Sequence, residues 1–215
     1  MTLTADVEVA QGTFTVRAAL HVGDDEILAV VGPNGAGKTT LLLGIAGLLE
    51  RRGRVEGPAP IGVVFQDRRL FPHMSVLDNV AFGSTPDAAR DELARLDSVH
   101  LVDMRPAALS GGQAQRVAVA RALAAGPATL LLDEPFAALD ATLRETLREE
   151  LAQGQARWGI PTLIVTHDLA DVFALGQSHI PQALTECVEP TLQRNTEESD
   201  PQGPLGRLPQ RSSRQ

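Results

Sequence analysis

Gly32-Pro33-Asn34-Gly35-Ala36-Gly37-Lys38-Thr39 is an unbroken G-x-x-x-x-G-K-[ST] run, set between two apolar segments of different character. Before it, Ile27-Leu28-Ala29-Val30-Val31 is short and rich in β-branched residues, as a parallel strand covered on both faces requires. After it, Leu41, Leu42, Ile45, Leu48 and Leu49 recur at helical spacing. Strand, loop and helix in that order make a cradle. The glycines let backbone N–H groups turn inward without Cβ clashes, and the helix start adds unpaired N–H groups and a favourable dipole. A phosphate chain is the matching occupant. Lys38 is placed to contact β- and γ-phosphates, and the Thr39 hydroxyl to ligate Mg²⁺.

Two further strands complete the pattern. Thr129 to Leu132 is apolar and ends in Asp133-Glu134; Thr162 to Thr166 ends in His167. In an open parallel sheet, ligands gather at the carboxyl ends of strands, so all three endings converge on one rim. Asp133 suits a Mg²⁺ position, and Glu134 suits a general base polarising the attacking water. A single carboxylate there would read equally well as a solvated turn, and a lone histidine as a structural or exposed one. Delivery of Lys, Asp-Glu and His to one edge favours a built site, in which His167 holds a γ-phosphate and orients Glu134.

Strands are predicted at 6–10, 13–20, 26–31, 61–65, 129–133 and 162–166, and helices at 38–50, 75–81, 87–98, 111–125, 141–157 and 168–175. This is an α/β chain with an antiparallel N-terminal edge and a mostly parallel sheet between helices. On the helix at 141–157, Arg144, Glu145 and Arg148 are expected to face solvent, and Gly154 to weaken its last turn.

In order and spacing these residues resemble the ATP-binding cassette (ABC) ATPases from about residue 12 to 176. Gly32 to Thr39, with Thr40, is similar to the Walker A loop and Leu130 to Glu134 to Walker B. Gln66 matches the Q-loop glutamine, and Leu109-Ser110-Gly111-Gly112-Gln113 the family signature. Ala138-Leu139-Asp140 resembles the D-loop, and His167 the switch histidine. The resemblance implies a P-loop NTPase fold with an inserted helical subdomain at about 67–112, and ATP and Mg²⁺ as cofactors. It makes Gln66 a catalytic and metal position and Asp140 a nucleotide contact. It also implies a head-to-tail homodimer, each ATP lying between the Lys38 loop of one copy and Ser110 to Gln113 of the other. A helix opened by Ser110 can meet a γ-phosphate across such an interface; taken alone, the same residues are an ordinary helix cap. Phe14, in Gly12-Thr13-Phe14-Thr15-Val16, is the implied adenine-stacking aromatic, the alternative being a hairpin-core side chain.

The segment from Phe65 to Val80, with Leu70-Phe71-Pro72-His73, resembles importer ATPases for molybdate, sulfate, polyamines and ferric iron, and the short stretch between Gln66 and Ser110 with the N-terminal Gly-Thr-Phe-Thr-Val pattern is most similar to the molybdate type. It implies a groove for a transmembrane permease subunit, although Leu70, Phe71 and Met74 also suit the subdomain's own core. The formal charge of −8, without an extended basic cluster, argues against nucleic acid. The single cysteine, Cys187, excludes an internal disulfide and suits a reducing compartment. The N-terminus lacks signal-peptide features, and no apolar run reaches the ~20 residues of a membrane span. A peripheral position on the cytoplasmic face of the membrane follows.

After Gly176 the resemblance stops. Residues 177–215 are rich in Gln, Pro, Ser and Glu without a sustained period and are expected to be disordered. A truncation, a frameshift and a diverged tail read alike here, with the sharp break favouring a frameshift, and an impaired scaffold under an intact site is the expected consequence. A non-catalytic cassette and a soluble ABC ATPase of DNA repair or translation are the alternative functions.

Overall fold

The computed structural model describes residues 2–12, 14–137 and 139–176. Thr13, Ala138 of the D-loop and the expected disordered tail lie outside the described residues.

Strands β1 (Leu3–Gln11), β2 (Phe14–Val22) and β4 (Arg51–Glu56) form an antiparallel sheet in the order β2-β1-β4. Leu3, Ala5, Val7 and Val9 point inward from β1, and Val16, Ala18, Leu20 and Val22 from β2, the alternation of a sheet with one dry face. β4 escapes sequence prediction because Arg51, Arg52 and Arg54 break any apolar alternation. It is a strand through pairing with β1, Val7 standing opposite Gly53.

The second sheet is parallel, in the order β3-β7-β6-β5: Ile27–Val31, Thr162–Thr166, Thr129–Asp133 and Ile61–Val64. Every residue of β6 and β7 is buried, as expected of strands covered on both faces. Their side chains alternate between two cores. Leu131, Leu163 and Val165 pack with helix α1 (Lys38–Ile45) and the antiparallel sheet. Leu130, Leu132 and Ile164 join the opposite core, built with α2 (Val76–Ala81), α3 (Pro86–Arg95) and α4 (Gly111–Ala124). Because all four strands run the same way, their carboxyl ends share one edge.

Helix α1 stops at Ile45, short of the predicted 50: Gly47 has φ +74°, the Leu48 amide donates to the Leu43 carbonyl, and Leu48 is exposed. Helix α5 (Ala141–Trp158) runs its full predicted length. It continues through Gly154, where the Trp158 ring packs in the place of a Cβ. Helix α6 (Leu169–Gly176) follows His167. The expectation that Arg144 and Arg148 are solvated is wrong: both lie against α6 in ion pairs with Asp168 and Asp171. Glu145 is mostly exposed, as expected, and adds a 3.0 Å pair to Arg148. Helical periodicity could not show this, since the α6 carboxylates lie more than twenty residues downstream.

Asn79, fully buried, folds the loop before α2. Its side-chain oxygen accepts from the Phe71 amide at 2.8 Å while its nitrogen donates to the Phe71 and Ser75 carbonyls. Leu70 packs against the core as one sequence reading required, whereas Phe71 stacks on the exposed Phe82 with ring centroids 4.7 Å apart.

Candidate active site

The loop between β3 and α1 opens with the Gly32 amide donating to the Thr166 carbonyl, so it starts against the end of β7. Gly35 and Gly37 carry φ of +83° and +89°, which turn the chain around the helix start. α1 begins at Gly37 without a side-chain cap, whereas Ser75, Thr85, Ser110 and Asp140 cap α2, α3, α4 and α5. The first-turn N–H groups of α1 therefore lack the acceptor that the other helices supply for themselves, and an anion is the complementary partner.

Beneath the loop Lys38 is buried. Its ammonium donates to the Gly32 carbonyl at 2.8 Å and the Pro33 carbonyl at 3.1 Å, and lies 3.3 Å from Glu134 Oε1. Glu134 has a left-handed backbone (φ +46°), unusual for a non-glycine residue, and its amide donates to the Val165 carbonyl. That turn aims the carboxylate back across the sheet edge. Its other oxygen lies 2.7 Å from His167 Nδ1. An ionised carboxylate only accepts, so the proton of this bond belongs on Nδ1. His167 is half exposed and Glu134 buried, a wet-to-dry pair at the mouth of the site.

Asp133, buried at the end of β6, accepts from the Thr39 hydroxyl at 3.0 Å. Burial raises its carboxyl above the ordinary aspartate value, with Glu134 adding, while Thr39 and Lys38 pull the other way. A hydroxyl and a carboxylate oxygen converging at the phosphate-loop helix form an oxygen donor pair of the kind Mg²⁺ takes alongside substrate phosphates. Among the described residues no cluster of three or more His, Cys, Asp or Glu could hold a metal unaided. The donor set therefore fits a shared rather than a caged ion.

A cavity of about 400 Å³ lies above these groups. Asn34, Gly35, Gly37 and Thr39 line it from the loop side, Glu134 and His167 from the sheet, and Gln66 from the end of β5. Phe14 closes one side, its ring touching the position of Gly37, and so is not confined to the hairpin core. Thr40 also lines the cavity, and its hydroxyl donates to Gln11 Oε1 at 2.8 Å, which pins the β1–β2 hairpin to α1. Gln11 carries no sequence signal for that role. Ala36 completes the loop, its amide donating to the Pro33 carbonyl.

Ser110, Gly111, Gly112, Gln113 and Asp140 do not line this cavity. Ser110 and Gln113 form a reciprocal capping box on α4, Ser110 Oγ accepting from the Gln113 amide and Gln113 Oε1 from the Ser110 amide. Gly112 is buried where a Cβ would press on Leu143, and Asp140 caps α5 through the Leu143 amide. Ser110 and Gly111 remain exposed at the helix start.

The ABC transporter family profile matches residues 16–137, more than half of the chain. This chain belongs to the ABC transporter ATP-binding family. Its relatives include the sulfate/thiosulfate import ATP-binding protein CysA 2 of Chromobacterium violaceum, 44% identical over 188 residues, covering 76% of this chain and 51% of that one. The spermidine/putrescine import ATP-binding protein PotA 1 of Pseudomonas aeruginosa is 43% identical over 184 residues, 74% of this chain and 50% of that one. The taurine import ATP-binding protein TauB of Pseudomonas syringae is 45% identical over 174 residues, 73% and 67% of the two chains. The chain thus spans about half the length of the first two. A dimeric bacterial ABC transporter cassette superposes with a TM-score of 0.68 at 27% identity, covering 81% of this chain and 91% of its own. A dimeric post-hydrolysis cassette bound to ADP and Pi superposes at 0.69, with the same identity and coverage. The P-loop cassette fold expected from the sequence, with its antiparallel and parallel sheets, is the fold observed. No helix among the described residues is long and apolar enough to cross a membrane.

Proposed function

We propose that the chain is the ATP-binding and ATP-hydrolysing subunit of a membrane importer, acting as a head-to-tail pair beneath permease subunits on the cytoplasmic face. The observation that carries this reading is the Lys38–Glu134–His167 chain of contacts at the phosphate loop, buried at Lys38 and Glu134 and open at His167. Lys38 bonds to carbonyl oxygens and one carboxylate. An entering triphosphate offers stronger anionic acceptors for the same ammonium. As Lys38 turns to the phosphates, Glu134 Oε1 is released to accept a proton from the attacking water. His167 holds Oε2 meanwhile. Its Nε2 donates to a γ-phosphate oxygen when the ring is cationic, since Nδ1 already carries a proton toward Glu134.

Thr39, Gln66 and Asp133 would hold Mg²⁺, which supplies charge neutralisation at the β- and γ-oxygens. Phe14 supports adenine by stacking. Ser110 to Gln113 and Asp140, remote from the chain's own cavity, belong to the site of a second copy, consistent with the dimeric cassettes that share the fold. For domain organisation we propose a cassette over 1–176, with 67–112 as its helical subdomain and 177–215 outside it. The exposed Phe82, packed against the partly buried Phe71, is the proposed permease side. An oxyanion such as molybdate is the proposed cargo, on the sequence likeness of the short Gln66-to-Ser110 stretch and the Gly12-Thr13-Phe14-Thr15-Val16 pattern.

The test is ATP turnover of the purified chain against Glu134→Gln across protein concentrations. Turnover should rise with concentration, and the variant should lose about a hundredfold or more while still binding ATP. Equal loss of binding would make Glu134 structural. Nucleotide binding without turnover in the parent would instead support a non-catalytic cassette.

A further inference from the structure

The side chain that links the Glu134 turn to the His167 turn belongs to neither. Glu134 leaves β6 and His167 leaves β7, and their tips must meet within hydrogen-bond distance. Arg148, on α5, touches both supports. Its Nη2 and Nε donate to Asp171 Oδ1 at 2.5 and 3.1 Å, with Arg148 only 11% and Asp171 4% exposed. The second Asp171 oxygen accepts from the Thr166 hydroxyl at 2.9 Å, and that hydroxyl accepts from the Asp168 amide at 3.1 Å. Thr166 and Asp168 are the residues on either side of His167, so the histidine's backbone is clamped from both directions.

On its other side, the Arg148 guanidinium carbon lies 5.8 Å from the centroid of the Phe136 ring. Phe136 is fully buried two residues beyond Glu134, within the turn closed by the Ala137 amide on the Glu134 carbonyl. Arg144, one helical turn earlier on α5, adds a 2.6 Å bond to Asp168. Arg148 is the group packed between the glutamate turn and the histidine turn.

We propose that Arg148, acting through Asp171 and Phe136, is a positioning residue that sets the distance between Glu134 and His167 and thereby the rate of hydrolysis. The proposal deepens the hydrolytic reading and rests on it. Arg148 does not line the cavity, and its hydrogen bonds and ion pairs among the described residues go to Asp171 and Glu145, so its removal should act on turnover and spare binding. A misplacement of about 1 Å at a reacting group costs roughly a hundredfold.

The experiment compares the full chain with Arg148→Met, Arg148→Lys, and an Arg148→Met/Asp171→Asn pair that leaves no buried charge unpartnered. Each is measured with and without His167→Ala. Expected are a kcat lower by about tenfold to a hundredfold for Arg148→Met, a KM for ATP within about twofold of the parent, and partial recovery in Arg148→Lys. On the His167→Ala background the Arg148 changes should cost nothing further, because groups acting as a unit are not additive. Losses that multiply would assign Arg148 a merely structural role and overturn the proposal. The ¹⁵N imidazole resonances of His167 read the Glu134 contact without turnover and should move in Arg148→Met. Unmoved resonances overturn the proposal even if the parent hydrolyses ATP. Moved resonances in a parent without turnover would uphold the positioning while sinking the hydrolytic reading.

Discussion

Gly37→Ala tests whether Phe14 and the phosphate loop form one packed unit. A Cβ built at Gly37 would lie 2.3 Å from Val16 Cγ2 and 2.4 Å from Phe14 Cε1, against the ~3.5–4.0 Å that carbon atoms prefer. Val16 is wholly buried on β2 and paired with Val9 of β1 close to the hairpin end, its side chain packed into the core, so it cannot retreat. Phe14 borders the cavity and has room to swing. The substitution therefore combines a left-handed backbone penalty of about 1–2 kcal/mol with an overpacking cost of about 1–3 kcal/mol.

Gly35→Ala separates the two effects. Its φ of +83° is nearly that of Gly37, yet nothing lies within 4 Å of its added Cβ. In urea denaturation both variants should lose the backbone part, and Gly37→Ala should lose about 1–3 kcal/mol more. Adenine nucleotide should bind more weakly to Gly37→Ala than to Gly35→Ala, because only the former displaces Phe14. Equal stabilities for the two variants, or intact nucleotide affinity in a destabilised Gly37→Ala, would refute the packing argument.

Asp133 has a folded-state pKa raised by burial above the ordinary 3.8, so the folded chain holds that proton more tightly than the unfolded chain. Its ionised form costs the fold stability that is regained as pH falls through the raised value. Without divalent ion at pH 7, Asp133→Asn should therefore unfold no earlier than the parent, any advantage disappearing toward pH 4. Adding Mg²⁺ with nucleotide should raise the melting temperature of the parent alone, and a similar rise in the variant would remove Asp133 from the metal site. Ser110→Ala should cost about 1 kcal/mol through the lost cap, and Ser110→Asn should restore it. If Ser110 also serves a second copy's nucleotide, neither variant recovers turnover at concentrations where the parent dimerises; full turnover in Ser110→Asn would leave Ser110 a cap only.

The phosphate loop, the acidic strand end and the histidine strand end were all legible locally, since each combines an apolar run with a polar ending inside a dozen residues. β4 was not, because its strand character comes from β1 opposite it. Helix α1 ends early for a related reason. The leucine period continues past Ile45, but Gly47 and the Leu43 carbonyl turn the backbone away. Arg144 and Arg148 looked like a solvated helix face because their carboxylate partners arrive only with α6. Gln11 carries no local signal, its use being set by Thr40 across the fold.

The sequence alone determined the chemistry on offer: a glycine loop rich in backbone donors, a lysine at the helix start beyond it, and two carboxylates and a histidine at the ends of two strands. These follow from short-range rules of residue type and spacing. Tertiary structure decided which groups meet. β7 lies between β3 and β6, so the Gly32 amide and the Glu134 amide both bond to its end, and Glu134 falls between Lys38 and His167. Strand order is a long-range property, set by how two apolar faces are covered at once, and no local pattern encodes it.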